Sequence, residues 1–192
     1  MEHLSEEFWT NRYAEDATGW DLGTISPPIK AYIDQLENKE LKILIPGCGN
    51  GHEAEYLWQQ GFSNVHLLDL SKAPLDDFQN RLPDFPSNQI HVGDFFTHEG
   101  TYDLIFEQTM FCAIDPSLRA KYASTSAHLL RNGGKLVGVM FNTDFDGGPP
   151  YGGSKKEYEE YFQPFYTSVE MNECYNSIQP RLGRELFVQF VK

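Results

Sequence analysis

Apolar positions along this chain alternate between strand-like runs and helical spacing. Leu41-Lys42-Ile43-Leu44-Ile45 is a short apolar run closed by Pro46-Gly47, the pattern of a buried strand. Residues 52–60 then take a helical pattern that Gly61 closes. Val65-His66-Leu67-Leu68 predicts a second strand, ending at Asp69. Residues 74–81 predict a helix that Pro83 and Pro86 keep from continuing. Residues 89–92 predict a third strand before Gly93-Asp94, and residues 102–106 a fourth. Asp115-Pro116 supplies a cap and a first-turn proline for a helix in which Leu118, Tyr122 and Leu129-Leu130 share a side. Gly133-Gly134 is expected to stop that helix before a fifth strand at 135–141.

A glycine- and proline-rich loop over 146–153 precedes the capping box Ser154-Lys155-Lys156-Glu157. Residues 169–175 and 185–191 predict two closing strands, the second alternating Leu186, Val188 and Phe190. Upstream, residues 6–13 predict a helix rich in aromatics. Ser26-Pro27-Pro28 opens another, with Ile29, Ile33 and Leu36 on one face. Strands alternating with helices predict an α/β, Rossmann-like parallel sheet with helices on both faces. The last two strands have no helix between them, so they predict an antiparallel edge. No repeat, low-complexity tract or linker divides the chain. It reads as one domain over 1–192, with a helical N-terminal extension at 1–38 and the core at 39–192.

Charge narrows the partners. The 192 residues carry a formal net charge of −13, with 15 Lys and Arg of which only Lys155-Lys156 are adjacent. Nucleic acid and acidic membrane surfaces call for clustered cations, so a small-molecule partner is expected and a monomer suffices. No run approaches the roughly 20 apolar residues of a membrane span. The acidic start, Met1-Glu2-His3-Leu4-Ser5-Glu6-Glu7, lacks the features of a leader, which points to the cytoplasm. Cys48, Cys112 and Cys174 form no C-x-x-C pair, so neither a disulfide framework nor a metal site is expected.

The chemistry concentrates at the predicted strand ends. Pro46-Gly47-Cys48-Gly49-Asn50-Gly51 directly follows the first strand, and its glycines let the backbone turn sharply beside a ligand. Asp69, about 20 residues on, can accept hydrogen bonds from both ribose hydroxyls of a nucleoside. The turn lacks the G-x-G-x-x-G spacing of dinucleotide sites, since His52 stands where the last glycine would be. S-adenosylmethionine therefore fits better than a nicotinamide cofactor. After the third strand, Asp94 can receive an adenine amino group and Phe95 can lie against the ring. Trp9, Tyr13 and Trp20 gather in a short polar segment, and a sulfonium cation is attracted to aromatic faces by roughly 0.5–2 kcal/mol.

Several motifs together are specific: Phe8-Trp9 with Arg12-Tyr13, Thr18-Gly19-Trp20-Asp21, the turn through His52-Glu53, Phe111-Cys112-Ala113-Ile114-Asp115-Pro116 with Arg119, and Gly147-Gly148-Pro149-Pro150-Tyr151. On these the chain resembles the thiopurine S-methyltransferase superfamily, and within it the plant-type thiol and halide methyltransferases, over about 8–162. The resemblance implies a seven-stranded class I methyltransferase sheet with a helical N-terminal lid. It implies S-adenosylmethionine as cofactor and S-adenosylhomocysteine as product. The carried-over cofactor positions are Trp9, Tyr13, Trp20, Gly47, Gly49, Asp69, Asp94, Phe95 and Gln108. Relatives often have Trp where this chain has Tyr13, and Arg or Tyr where it has Gln108.

Methyl transfer from a sulfonium needs no metal and can proceed without a base. Gln108, Glu107 and Tyr151 are candidates for assisting it. His52 reads as a helix-start residue, and Cys112 as a structural thiol. The expected reaction is methylation of a small soft nucleophile: a thiol, thiopurine or halide. An oxygen or nitrogen acceptor, a non-catalytic nucleoside-binding protein and, remotely, a nicotinamide dehydrogenase are the alternatives.

Overall fold

The computed structural model describes residues 4–192. Met1, Glu2 and His3, part of the acidic start read above, lie outside the described residues. Seven strands form one sheet in the order β3-β2-β1-β4-β5-β7-β6. They are β1 (Ile43–Pro46), β2 (Val65–Asp69), β3 (Ile90–Val92), β4 (Tyr102–Gln108), β5 (Leu130–Phe141), β6 (Ser168–Glu173) and β7 (Glu185–Val191). The pairings of β1 with β2 and β4, of β2 with β3, and of β4 with β5 are parallel. β7 runs antiparallel to β5 and β6, as the helix-free closing pair predicts.

Among the described residues six α-helices accompany the sheet: α1 (Glu6–Ala14), α2 (Pro27–Ile33), α3 (His52–Gln59), α4 (Lys72–Arg81), α5 (Arg119–Leu129) and α6 (Lys155–Phe162). All four residues of β1 are buried, and the pleat divides them between two cores. Ile43 and Ile45 join Ile29 and Ile33 of α2, Ala54 and Leu57 of α3, and Leu75 and Phe78 of α4. Leu44 joins Tyr122 and Ala123 of α5 and Tyr158 and Phe162 of α6 on the other face. The sheet is thus covered on both sides. α1 has no buried residue and lies over the strand ends. No described helix is long and apolar enough to cross a membrane.

Boundaries differ from the sequence pattern in two places that matter. Gly133-Gly134 does not stop the helix: α5 ends at Leu129 and β5 starts at once. The glycines instead lie where the β4–β5 register slips, from Tyr102 opposite Leu130 to Leu104 opposite Lys135. Gly133 there takes φ +74°, a conformation that suits glycine. β4 also runs two residues past Phe106 and carries Glu107 and Gln108 as strand residues.

Opposite Glu107 in the ladder is Gly138. A Cβ on Gly138 would lie 2.1 Å from the Glu107 carbonyl oxygen and 2.5 Å from its Cβ. Gly138→Ala is therefore expected to cost about 1–3 kcal/mol or more in urea unfolding, because the backbone of the neighbouring strand must give way. A loss within about 0.5 kcal/mol would show that the strands separate freely there.

Candidate functional site

The site grows from the carboxyl ends of β1 to β4. After β1, Gly47 and Gly49 take φ +58° and +51°, and Gly51 caps α3 at φ +72°. Space also demands glycine at Gly47, where a Cβ would lie 2.9 Å from Met110 Cγ. Asp69 closes β2, and its carboxylate ties two loops. Oδ2 accepts from the Gly49 amide at 2.9 Å and Oδ1 from the Ser71 amide at 2.9 Å. Burial pushes its carboxyl up, while these amides hold it down.

After β3, the Asp94 Oδ1 accepts from the Phe96 amide at 2.9 Å and starts a short turn. Phe95 in that turn is buried against Tyr122, with ring centroids 5.0 Å apart. Above the strand ends, the Trp20 ring meets Trp9 and Tyr13 edge-on, at centroid distances of 5.6 and 5.8 Å. Burial, and after it the Asp69 and Cys48 charges, push the Tyr13 phenol up, so it stays a neutral hydroxyl. Polar contacts tie the roof to the rest of the fold. Asp21 accepts from the Asn50 amide group and pairs with His52 Nε2 at 2.7 Å. Arg181, between β6 and β7, donates to the Trp20 carbonyl at 2.9 Å.

These parts line a cavity of about 510 Å³. It brings together Trp9, Tyr13, Trp20, Gly47, Asp69, Asp94 and Phe95 of the expected residues. Gly49 and Gln108 instead line an adjoining cavity of about 40 Å³, which shares Trp20, Gly47 and Thr109 with the larger one. The Gln108 Oε1 is buried with no hydrogen-bond partner among the described residues. Glu107 and Tyr151 line neither cavity. Glu107 is 0% exposed and accepts from the Phe111 amide at 2.8 Å and from the Tyr122 hydroxyl. The Tyr151 amide donates to the Cys112 carbonyl at 2.7 Å. Burial pushes the Cys112 thiol up to about 12, which suits an inert structural cysteine.

Sequence reasoning assigned no site role to Met110, Ile114, Arg12 and Arg181, all of which line the larger cavity, although Arg12 and Ile114 belong to the motifs named above. Met110 and Ile114 follow a strand end whose extent the pattern understated. Arg181 arrives through the β6–β7 connection, and no local motif marks it. Pro149 and Pro150, from the glycine- and proline-rich loop, also line the cavity.

Comparison with known proteins agrees with this arrangement. The thiopurine S-methyltransferase family matches residues 4–187. The chain is 32% identical to a probable thiol methyltransferase 2 of Arabidopsis thaliana, over 96% of this chain and 84% of that protein. It is 31% identical to thiocyanate methyltransferase 1 of Brassica oleracea, with the same coverage of 96% and 84%. Among solved structures, the 1,6-didemethyltoxoflavin-N1-methyltransferase of Burkholderia thailandensis, bound to its substrate and S-adenosylhomocysteine, superposes with a TM-score of 0.74. That match covers 99% of this chain and 87% of the other at 15% identity, so it speaks to the fold.

Glu107 leads to a test of the site's electrostatics. Burial pushes its carboxyl from 4.5 up to about 7, although the Phe111 amide and the Tyr122 hydroxyl hold it down. The folded protein therefore keeps a proton that the unfolded chain releases between those values. The stability linked to this group is full below pH 4.5 and is lost as pH rises to about 7. Glu107→Gln should gain on the wild type in thermal midpoint as pH rises through that window. An offset that stays constant with pH would contradict the shift.

Proposed function

Because the chain belongs to the thiopurine S-methyltransferase family and is an S-adenosylmethionine-dependent methyltransferase, we propose that it methylates a small soft nucleophile: a thiol, a thiopurine or a halide. The observation that carries this reading is the wall built by Met110, Ile114, Leu118, Phe141, Pro149 and Pro150. It is apolar, Arg181 stands beside it, and no histidine or lysine lines the cavity among the described residues.

The residues fit the cofactor. A volume of about 510 Å³ lies within the usual range for small-ligand sites, roughly 300–1,000 Å³. Gly47 leaves the space a Cβ would fill, and the unpartnered Gln108 Oε1 waits for a donor such as an ammonium group. When bound, S-adenosylmethionine supplies a methyl carbon activated by positive sulfur. Asp69 would grip the ribose hydroxyls, with Asp94 and Phe95 around the adenine. The backbone at Gly47 and Gly49, with Gln108, would hold the amino-acid tail. Trp9, Tyr13 and Trp20 would roof the sulfonium, making residues 1–38 a lid through α1 and Trp20.

A thiolate or halide arrives charged and needs no base. The apolar wall strips its water, and loss of hydration raises the reactivity of a soft anion. Holding the two reactants in line can supply up to about 7–11 kcal/mol. An oxygen or nitrogen acceptor would need a proton removed, and the two side chains expected for that, Glu107 and Tyr151, stand outside the cavity. We further place the enzyme in the cytoplasm as a monomer acting on a free small molecule.

Incubation with labelled S-adenosylmethionine and a panel of thiols, thiopurines, halides, thiocyanate, phenols and amines tests the acceptor class. Label is expected on sulfur or halide, and transfer solely to oxygen or nitrogen would refute it. Asp69→Ala should weaken S-adenosylhomocysteine binding in calorimetry by about 10–100-fold, the effect of losing charged hydrogen bonds. Unchanged affinity would remove the ribose role from Asp69.

A further inference from the structure

Glu107 has no task in the methyl transfer described above, yet the fold buries it completely at the end of β4. Two residues on, Thr109 takes φ +65°, a left-handed conformation that β-branched residues avoid. The surrounding contacts must hold it there. The Phe111 amide donates to Glu107 Oε1 at 2.8 Å, and the Tyr122 hydroxyl from α5 donates to the other oxygen. The turn closes with the Ala113 amide donating to the Met110 carbonyl at 2.9 Å. On its cavity side it presents Thr109, Met110, Cys112, Ala113 and Ile114. Met110 packs so close to Gly47 that a Cβ there would lie 2.9 Å from its Cγ.

We propose that Glu107 is a positioning residue. By tying the Phe111 amide to the Tyr122 hydroxyl behind the wall, it holds the Thr109 turn so that Met110 and Ile114 present the acceptor in line. It touches neither reactant. The proposal rests on the cavity being the methyl-transfer site, and one of its readouts is independent of that reading.

The test compares Glu107→Ala, Glu107→Gln and Tyr122→Phe with the wild type. Acceptor kcat/KM, S-adenosylhomocysteine affinity and amide hydrogen exchange over 109–114 are measured. Glu107→Ala should lower kcat/KM about 10–100-fold through misplacement of the acceptor. Its S-adenosylhomocysteine Kd should stay within about threefold of wild type, while the 109–114 amides exchange faster. Glu107→Gln keeps an oxygen for Phe111 and a polar partner for Tyr122. It should recover to within about fivefold of wild-type kcat/KM with slow exchange restored.

Wild-type kcat/KM and exchange in Glu107→Ala would overturn the proposal. So would a Glu107→Gln variant as inactive as Ala with wild-type exchange, since that marks a proton-handling role. If Glu107→Ala does not fold, Tyr122→Phe decides: faster exchange with a several-fold fall in kcat/KM supports the tie, and no change in either refutes it. If the wild type methylates no acceptor, the functional reading fails. Exchange over 109–114 then supports or refutes the Glu107 tie alone.

Discussion

One buried carboxylate, Asp69, ties the ends of the first two strands together. It accepts from the Gly49 amide on one loop and the Ser71 amide on the other. Burying a carboxylate is costly, and burial pushes this one up toward its neutral form. Only oriented donors offset that cost: the Gly49 amide, which the glycine turn bends toward it, and the Ser71 amide two residues further along its own loop. The floor of the cavity is therefore set by main-chain geometry, which side-chain motion cannot easily disturb. A ligand hydroxyl reaching Asp69 meets an acceptor already held in place.

The roof is built on a different principle. α1 buries no residue, so little hydrophobic burial fixes it. What holds the N-terminal segment is a set of edge-on ring contacts, the Thr10–Ser71 hydroxyl pair at 3.0 Å, the Asp21 cluster with Asn50 and His52, and the Arg181 bond to the Trp20 carbonyl. Segments held by few buried apolar contacts open at lower free energy than the core. A rigid floor under a lightly held roof suits a site that must admit two reactants, exclude water while they react, and release two products. Asp21 bonds both to its own segment, through the Gly23 amide, and to the glycine turn, so roof and floor share one carboxylate.

Much of this was legible in the chain. The apolar run at β1, the glycine turn, the strand-end acids and the helix-free closing pair each carry a local signal, and each lies where the sheet order needs it. The failures share one cause, which is that a local pattern cannot register a neighbouring strand. Gly133-Gly134 has the composition of a helix stop, yet it serves a slip between β4 and β5 that only their pairing creates. Glu107 and Gln108 read as residues beyond a strand because two polar residues follow Phe106. Pairing with Gly138 and Val139 carries β4 through them, and that extension turns Glu107 into the protein interior. Arg181 is invisible for the same reason, since a hairpin connection far along the chain delivers it beneath Trp20.

The charge distribution raises a problem that the site resolves locally. A net charge of −13 repels anions, and thiolates and halides are anions. At physiological salt, however, fields from surface charges fade over about 8 Å, so distant surface charges weakly influence the cavity. Inside, the nearest charges dominate. The Arg181 side chain is 11% exposed and lies 3.6 Å from Glu185, whose carboxyl burial pushes up even though Arg181 holds it down. Arg181 also lines the cavity, so part of its guanidinium faces the site as well as Glu185. An arginine beside an apolar wall therefore gives the site a local positive charge that the overall acidity of the chain opposes weakly.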